Sequence, residues 1–455
     1  MSQSILILSP DVITERMAGP AIRYWEFAKA LTHDHVVTLA IPNTIPDTLP
    51  QTIPIVQHTP ENIAALVSRH DIILFQGYLL DYYPLLRQTD KILVTDLYDP
   101  IPLEGLEQRK DETPAEASPI IADQVRMMSD QLKLADYFLC ASTRQRDLWL
   151  GYLMAVGRIN PLTYDEIKQR VLTVPFGFPD NTPQRTDAGF RATLDNETKF
   201  VLLWGGGIWE WFDPLTLIRA VHRLLPRYPG LKLVFLGTQH PNPVIHAMPM
   251  QHRAEALARE LDIYNTSVIF QAGWVPYDTL HNHLLDADVG VSAHFDTLET
   301  HFSFRTRILY YLWAGKPIIT TTGDVLADEI AHYHAGIVVN PADEVAWIEA
   351  IEKLHDPMYY AACVKGVKSL AQSYQWSKVV QPLRTLCANA SLSSDMIIEN
   401  GYRKSSHWDC VQENNALKSR LVELEQQLAI MENSNSWRVT SPLRDLRRRL
   451  THWKK

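Results

Sequence analysis

Short apolar runs punctuate the chain, each bounded by an acidic residue or a turn signal. In the first half they are Ser4–Leu8, Val36–Ile41, Asp71–Gln76, Lys91–Asp96 and Asp136–Ala141. In the second half they are Phe200–Trp204, Lys232–Gly237, Ser267–Gln271, Asp288–Ser292, Pro317–Thr321 and Gly336–Val339. Helical patterns separate them, among them Ala21–Leu31, Ser118–Ala135, Pro214–Arg227 and His252–Leu261. Fully apolar strands alternating with helices predict parallel sheets covered on both faces. So many strands would strain one doubly wound sheet. The pattern therefore predicts an α/β chain with two Rossmann-like domains in tandem, at 1–185 and 196–372. The break falls within Phe178–Glu197, where Pro179, Asn181, Thr182, Pro183, Asp187 and Gly189 concentrate turn chemistry.

Beyond the second domain the pattern changes. Residues 389–410 mix Ser, Asn and Asp and read as a linker. Leu417, Leu421, Leu424, Leu428 and Met431 then follow a 4-3-4-3 spacing, the seam of a short coiled coil over 411–433. Two readings stay open: self-association through that seam, or one amphipathic helix packed on the body. Residues 434–455 form a helical-tail candidate. Leu443, Leu446, Leu450 and Trp453 fall on one side of a helix, beside Arg447, Arg448 and Arg449. Contact with an anionic membrane surface through 437–455 and a solvated tail both fit this composition.

With 46% hydrophobic and 21% charged residues among 455, the chain can fill full-sized cores, which excludes a wholly disordered or fibrous protein. Cys140, Cys363, Cys387 and Cys410 are scattered without CxxC spacing. That argues against a disulfide framework or a cysteine zinc site and for a reducing compartment. No signal-peptide pattern or run of ~18–20 apolar residues is present, so the expected location is cytoplasmic, with peripheral attachment to the inner face of the plasma membrane as an option. Net charge is −9, yet 434–455 carries seven basic residues against Asp445 alone. The acidic remainder makes nucleic acid an unsuitable partner for the body and leaves the tail as the anion-seeking element.

Several positions carry candidate chemistry. Ala18-Gly19-Pro20-Ala21-Ile22-Arg23 opens a helix after the first strand, a place suited to an anion. An ordinary strand-to-helix turn reads the same way. Gly205, Gly206 and Gly207 follow the strand at 200–204 and remove side chains where a phosphate or sugar would approach. Asp213-Pro214 is an N-cap and N1 pair for the next helix. Trp209 and Trp211 suit stacking on a sugar or base, or packing at a domain hinge. The densest polar cluster runs from His294 to Arg307 after the strand at 288–292. Open parallel sheets bind ligands beyond the carboxyl ends of their strands. Arg305 and Arg307 would meet a diphosphate there with forked hydrogen bonds, and Glu299 would accept from sugar hydroxyls. A surface salt-bridge network is the plainer alternative. Asp96 and Asp99 end another strand, where they would orient an acceptor hydroxyl or cap a turn. Asp286-Ala-Asp288 matches a DxD metal signature but sits at a helix-to-strand junction, which favours a structural role and leaves no metal ligand set.

In combination and in order, these features resemble the retaining nucleotide-sugar glycosyltransferases of the GT-B fold, glycosyltransferase family 4 (group 1), over about 4–387. The carriers are Gly19-Pro20-Ala-Ile-Arg23, the glycine run before Asp213-Pro214, Gly273-Trp274-Val275-Pro276, and Phe304-Arg-Thr-Arg-Ile-Leu-Tyr-Tyr-Leu-Trp-Ala-Gly-Lys-Pro317. Ser373-Tyr-Gln-Trp-Ser377 resembles the start of the family's crossover helix, placed at 373–388, which returns to the first domain. The resemblance implies two domains facing across a cleft, the first binding the acceptor and the second the nucleoside diphosphate sugar, with no cofactor. Gly19 and Pro20 would lie near the diphosphate. The loop Phe304, Arg305, Thr306, Arg307 would offer it N–H groups, and Gly273, Trp274 and Val275 would line the base. The implied activity is metal-independent transfer with retention to a glycan or lipid-linked acceptor, in cell-surface polysaccharide or lipopolysaccharide biosynthesis.

Two departures stand out. The family's two glutamates fall here at Phe302 and Tyr310, leaving Glu299 as the nearest substitute for the first. The family's Arg and Lys after the second domain's first strand fall at Gly207 and Phe212. Arg305 and Arg307, with Arg23, are the expected replacements for that lost charge. A non-catalytic GT-B scaffold in a polysaccharide assembly and a sugar-nucleotide epimerase are the competing readings.

Overall fold

The first sheet comprises β1 (Ser4–Leu8), β2 (Val36–Ile41), β3 (Ile55–Gln57), β4 (Ile72–Phe75), β5 (Ile92–Asp96), β6 (Tyr137–Cys140) and β7 (Val171–Thr173). The second comprises β8 (Phe200–Gly205), β9 (Leu231–Leu236), β10 (Val268–Gln271), β11 (Val289–Ser292), β12 (Ile318–Thr321) and β13 (Gly336–Val339). This computed structural model describes residues 2–50, 52–245, 249–399 and 402–433, with side chains described except at 406–416 and 432–433. The proposed membrane-seeking segment 437–455 lies outside the described residues.

Every pairing within both sheets is parallel. The orders are β3-β2-β1-β4-β5-β6-β7 and β10-β9-β8-β11-β12-β13. Each sheet is doubly wound, with its order reversing beside its own first strand. That explains the continuous apolar runs: β1 and β8 are central and covered by helices on both faces, so Ile5 to Leu8 and Val201 to Trp204 are wholly buried. β3 and β7 were invisible to pattern reading. They are three-residue edge strands, β3 half-buried throughout, and carry no apolar run.

After the second sheet the chain returns to the first domain. Phe178 N–H donates to the Tyr374 carbonyl at 3.0 Å, and Trp376 N–H donates to the Phe178 carbonyl at 2.9 Å. Trp376 then packs on Phe176 and Phe27. The crossover is two helices, Trp376–Val379 and Gln381–Asn389, separated where Pro382 occupies the start of the second.

Residues 389–410 differ from the expected linker. Met396–Glu399 (β14) and Tyr402–Ser405 (β15) pair antiparallel. Two ion pairs with fully buried side chains fix this segment to the first domain: Arg158 with Asp395 at 3.0 Å and Arg403 with Asp136 at 2.5 Å. Asn160, Ser393 and Ser405 also donate to Asp395. The Ser- and Asp-rich composition that reads as solvated is here a set of internal ion-pair and hydrogen-bond partners. The helix Ser406–Asn433 follows. Along 417–431 it is exposed on every side, Leu417 by 70% and Leu428 by 47%, so this stretch does not pack on the body. Among the described residues, no helix is long and apolar enough to cross a membrane.

Candidate functional site

The carboxyl ends of β1, β4 and β5 face those of β8 and β9 and the loop after β11 across a cavity of about 840 Å³. Both strand-order reversals open onto it, the position at which doubly wound sheets bind ligands. Contacts between the domains rim the cavity. Trp274 Nε1 donates to the Met17 carbonyl at 3.0 Å, Asn242 Nδ2 to Asp11 Oδ1 at 2.8 Å, and Lys110 Nζ to the Glu210 carbonyl at 3.0 Å.

The second domain builds one wall from its glycine turn. Gly206 adopts φ +95°, a left-handed conformation that side chains other than glycine's rarely tolerate. Gly290 on β11 lets the Tyr311 ring approach so closely that an added Cβ would come within 2.1 Å of it. The Tyr311 hydroxyl then accepts from Gly205 N–H at 2.7 Å and donates to the Val291 carbonyl at 3.1 Å, stapling the turn to the sheet.

The helix Thr306–Trp313 starts beside that turn. Asp213, Thr297 and Asp324 cap their helices with side-chain oxygens, whereas this helix and the helix Gly19–Leu31 have no side-chain cap. First-turn N–H groups lack intrahelical partners and favour negative charge. Gly19, Pro20, Phe304 and Thr306 accordingly line the cavity at two open helix starts.

Arg307 is 8% exposed. Its guanidinium lies 4.1 Å from the centre of the Phe212 ring and 4.6 Å from that of Trp204. Nη2 donates to the Gly207 carbonyl at 2.7 Å, while Nη1 is buried without a partner. Among the described residues no carboxylate reaches ion-pair distance of it. Burial pulls its pKa down to about 9, against the opposing field of Tyr311. An arginine in this range still carries its charge at neutral pH. Arg307 is thus a buried cation facing a cavity with no counter-ion.

Arg305 does not match its expectation. Nη1 and Nη2 donate to Glu299 Oε1 and Oε2 at 2.9 and 2.7 Å, and Nη2 also reaches Thr300 Oγ1 at 3.1 Å. This bidentate pair neutralises Arg305 and occupies both oxygens expected to receive sugar hydroxyls. Both residues line the cavity as one neutral unit. Arg23 departs further. It is fully buried outside the cavity, bound to Asp96 at 2.6 and 3.0 Å and to the carbonyls of Val174 and Pro175. It ties the ends of β5 and β7 to the first helix. Gly273 supplies a turn at φ +82° but does not line the cavity, unlike Trp274 and Val275. Asp286 and Asp288 pair with Arg185 and Arg191, which accounts for the DxD resemblance as structure.

Tyr310 lines the cavity with its hydroxyl buried and unpartnered. The Phe302 carbonyl accepts from Gln145 Nε2 of the first domain at 2.8 Å, and its ring meets that of His301 edge-on. Trp209 and Trp211 stack at 5.6 Å and both line the cavity. His240 stands between Trp209 and Trp274, 5.9 and 5.4 Å from them, extending an aromatic wall.

The first domain supplies the opposite wall. Gln76 is 4% exposed; its Nε2 donates to Asp99 Oδ2 at 2.9 Å and its Oε1 has no partner. Burial pushes the Asp99 carboxyl up to about 7, with Asp96 adding to the rise and the Gln76 hydrogen bond opposing it. Glu104 is raised well above the usual range by burial, then by Asp99 and Glu299. Sequence reading missed Gln76, Glu104, His240 and Tyr311. Only Gln76 left a signal, as the last residue of a predicted strand.

Residues 199–356 match the family model of Glycosyl transferases group 1. No curated protein matches the chain. Sucrose-phosphate synthase from Thermosynechococcus elongatus aligns with a TM-score of 0.62 at 16% identity, over 84% of this chain and 98% of that one. WaaG, a glycosyltransferase involved in lipopolysaccharide biosynthesis, aligns with 0.60 at 14%, over 85% and 100%. HepE from Anabaena, solved with UDP-glucose, gives the same values. The fold is GT-B, two facing Rossmann-like domains. The match to group 1 glycosyltransferases lies within the second domain.

Proposed function

We propose that the protein transfers a sugar, with retention at the anomeric carbon, from a nucleoside diphosphate sugar to a glycan or lipid-linked acceptor in cell-surface polysaccharide or lipopolysaccharide assembly. The observation that carries this reading is Arg307, a buried cation without a counter-ion beside the glycine turn and an uncapped helix start. A buried unpaired charge is costly. A diphosphate in the cavity supplies its partner. In the reaction the bond from the anomeric carbon to the diphosphate breaks as one to the acceptor oxygen forms. Negative charge grows on the departing diphosphate, and Arg307 with the N–H groups at Phe304 to Arg307 stabilises it. Trp274 and Val275 line the base end, and Asp99 accepts from the acceptor hydroxyl. The domain contacts around the rim exclude water and so limit donor hydrolysis. Because Arg307 and backbone dipoles meet the charge, turnover survives chelation of divalent ions.

The test is product formation with a panel of nucleotide sugars. Expected is turnover with at least one donor, retained in EDTA and cut by about 10²–10³ in Arg307→Met. One observation favours a second reading, a non-catalytic scaffold. The family's two glutamate positions are Phe302 and Tyr310, and Arg305 is neutralised by Glu299. Donor binding without turnover for any donor identifies that case.

A further inference from the structure

The cavity is divided by charge. From the first domain, Asp11, Asp99 and Glu104 line it, and among the described residues no Lys, Arg or His does. From the second come Arg305, Arg307, His240 and Glu299. Arg305 is taken up by Glu299, so among the described residues the available cation is Arg307, on the donor side beside the glycine turn. An anionic group on the first-domain side would give up water and gain no cation there. It would also face three carboxyl groups. Asp99 and Glu104 are already raised by burial, and an anion placed beside them would make ionising either costlier still, with no cation to offset it.

That side instead collects hydrogen-bond acceptors. Gln76 lines the cavity, and its Oε1 is buried without a donor. Its Nε2 is committed to Asp99 Oδ2, which fixes the amide and leaves the oxygen as its unpaired end. A buried acceptor left without a donor costs about 1–3 kcal/mol. The groups that answer it are hydroxyls and amines, which donate; phosphate, sulfate and carboxylate oxygens only accept. Tyr78 and Tyr82 line the same side, Tyr82 exposed by 72%, and offer ring faces to a flat apolar sugar surface.

We infer that the acceptor sugar entering the first-domain side is uncharged or amino-bearing, that Gln76 and Asp99 select it through the hydroxyls it donates, and that phosphorylated, sulfated or uronic acid sugars are rejected. The inference rests on the transferase reading above and adds the class of acceptor to it. Charge carried elsewhere on a long acceptor, outside the cavity, is compatible with it.

The experiment uses the full chain saturated with the nucleoside diphosphate that most raises its melting temperature. Saturation-transfer NMR then compares methyl hexosides and methyl glucosaminide with glucose 6-phosphate and methyl glucuronide. Expected is binding of at least one neutral or amino sugar, with its anionic counterparts at least tenfold weaker. Gln76→Leu weakens the neutral sugar about tenfold or more at unchanged diphosphate affinity. Gln76→Met, close in size and without an acceptor oxygen, serves should the first variant fold poorly, and gives the same loss. Equal or tighter binding of the anionic sugars overturns the inference, as does binding of neither class while the diphosphate is held. Absence of diphosphate binding instead removes the transferase reading on which it rests.

Discussion

Arg307 holds its Nη2 2.7 Å from the carbonyl oxygen of Gly207. One hydrogen bond thus joins the first turn of a helix in the 294–313 segment to the glycine turn a hundred residues earlier. The position where the family resemblance expects an arginine, Gly207, holds the guanidinium through its backbone instead. The charge arrives at the same turn from a different point in the chain.

That relationship separates a functional charge from a structural one. Arg307→Met removes a buried cation that has no ionic partner, so the melting temperature of the ligand-free protein does not fall, while the rise produced by a nucleoside diphosphate shrinks or vanishes. A thermal-shift titration of both proteins reads both effects. A lower ligand-free melting temperature with an unchanged ligand response would mark Arg307 as a packing residue.

Arg305 and Glu299 behave oppositely. Their side chains are 5% and 1% exposed and bind each other bidentately. Breaking one partner of such a pair costs about 3–5 kcal/mol, because the other charge is left buried alone. Glu299→Gln and Arg305→Met each lose stability on this scale, and the double variant regains a large part of it. Urea denaturation of the four proteins gives the coupling directly.

Arg23 anchors the first domain. Its side chain and that of Asp96 are fully buried at 2.6 Å. Arg23→Met destabilises the fold by about 3–5 kcal/mol, and the folded fraction keeps the wild-type KM for the donor. Denaturation and steady-state kinetics distinguish this from a donor contact, which would raise KM.

Asp99 makes stability depend on pH. Burial raises its carboxyl from an ordinary 3.8 to about 7. Between those values the folded protein keeps a proton that the unfolded chain has released, so rising pH lowers stability through that window. Glu104, raised by burial and by Asp99, adds to the trend. Asp99→Asn retains an acceptor for Gln76 and removes this titration. The urea midpoint of the wild type relative to the variant falls from pH 5 to pH 8; a constant difference contradicts the shift.

The exposed stretch 417–431 of the helix Ser406–Asn433 is expected to pair with a second copy of the chain. In the heptad set by Leu417, Leu421, Leu424 and Leu428, Arg420 takes the position that meets Glu425 of a parallel, in-register partner, and opposite charges pair there. Sedimentation equilibrium is expected to give a dimer that Leu421→Asp with Leu424→Asp converts to monomer, without change in the melting of the body. A wild-type monomer at tens of micromolar contradicts this pairing.

Much of the architecture was legible because parallel strands buried on both faces leave unbroken apolar runs. β1, β2 and β13 fall on the residues the pattern marks, and the other long strands within one or two. The site was only partly legible. Sequence gives the glycine turn and the arginines but not which arginine is neutralised. Glu299 lies six residues before Arg305, and nothing in that spacing distinguishes an ion pair from two ligand contacts. Arg23 looked like an anion ligand because it follows a helix start, yet its partner Asp96 lies 73 residues away. Gln76 and Glu104 became site residues only when β4 and β5 lay side by side. The hairpin of β14 and β15 was hidden because buried ion pairs use the same residues as a solvated linker.

The central claim is that Arg307 awaits a diphosphate. Isothermal calorimetry of the wild type and Arg307→Met against UDP, GDP, ADP and dTDP tests it most directly. The account predicts that at least one binds the wild type and that the variant weakens it about 10–100-fold, the loss of one charged hydrogen-bond partner. No binding to the wild type, or equal binding to both proteins, contradicts it.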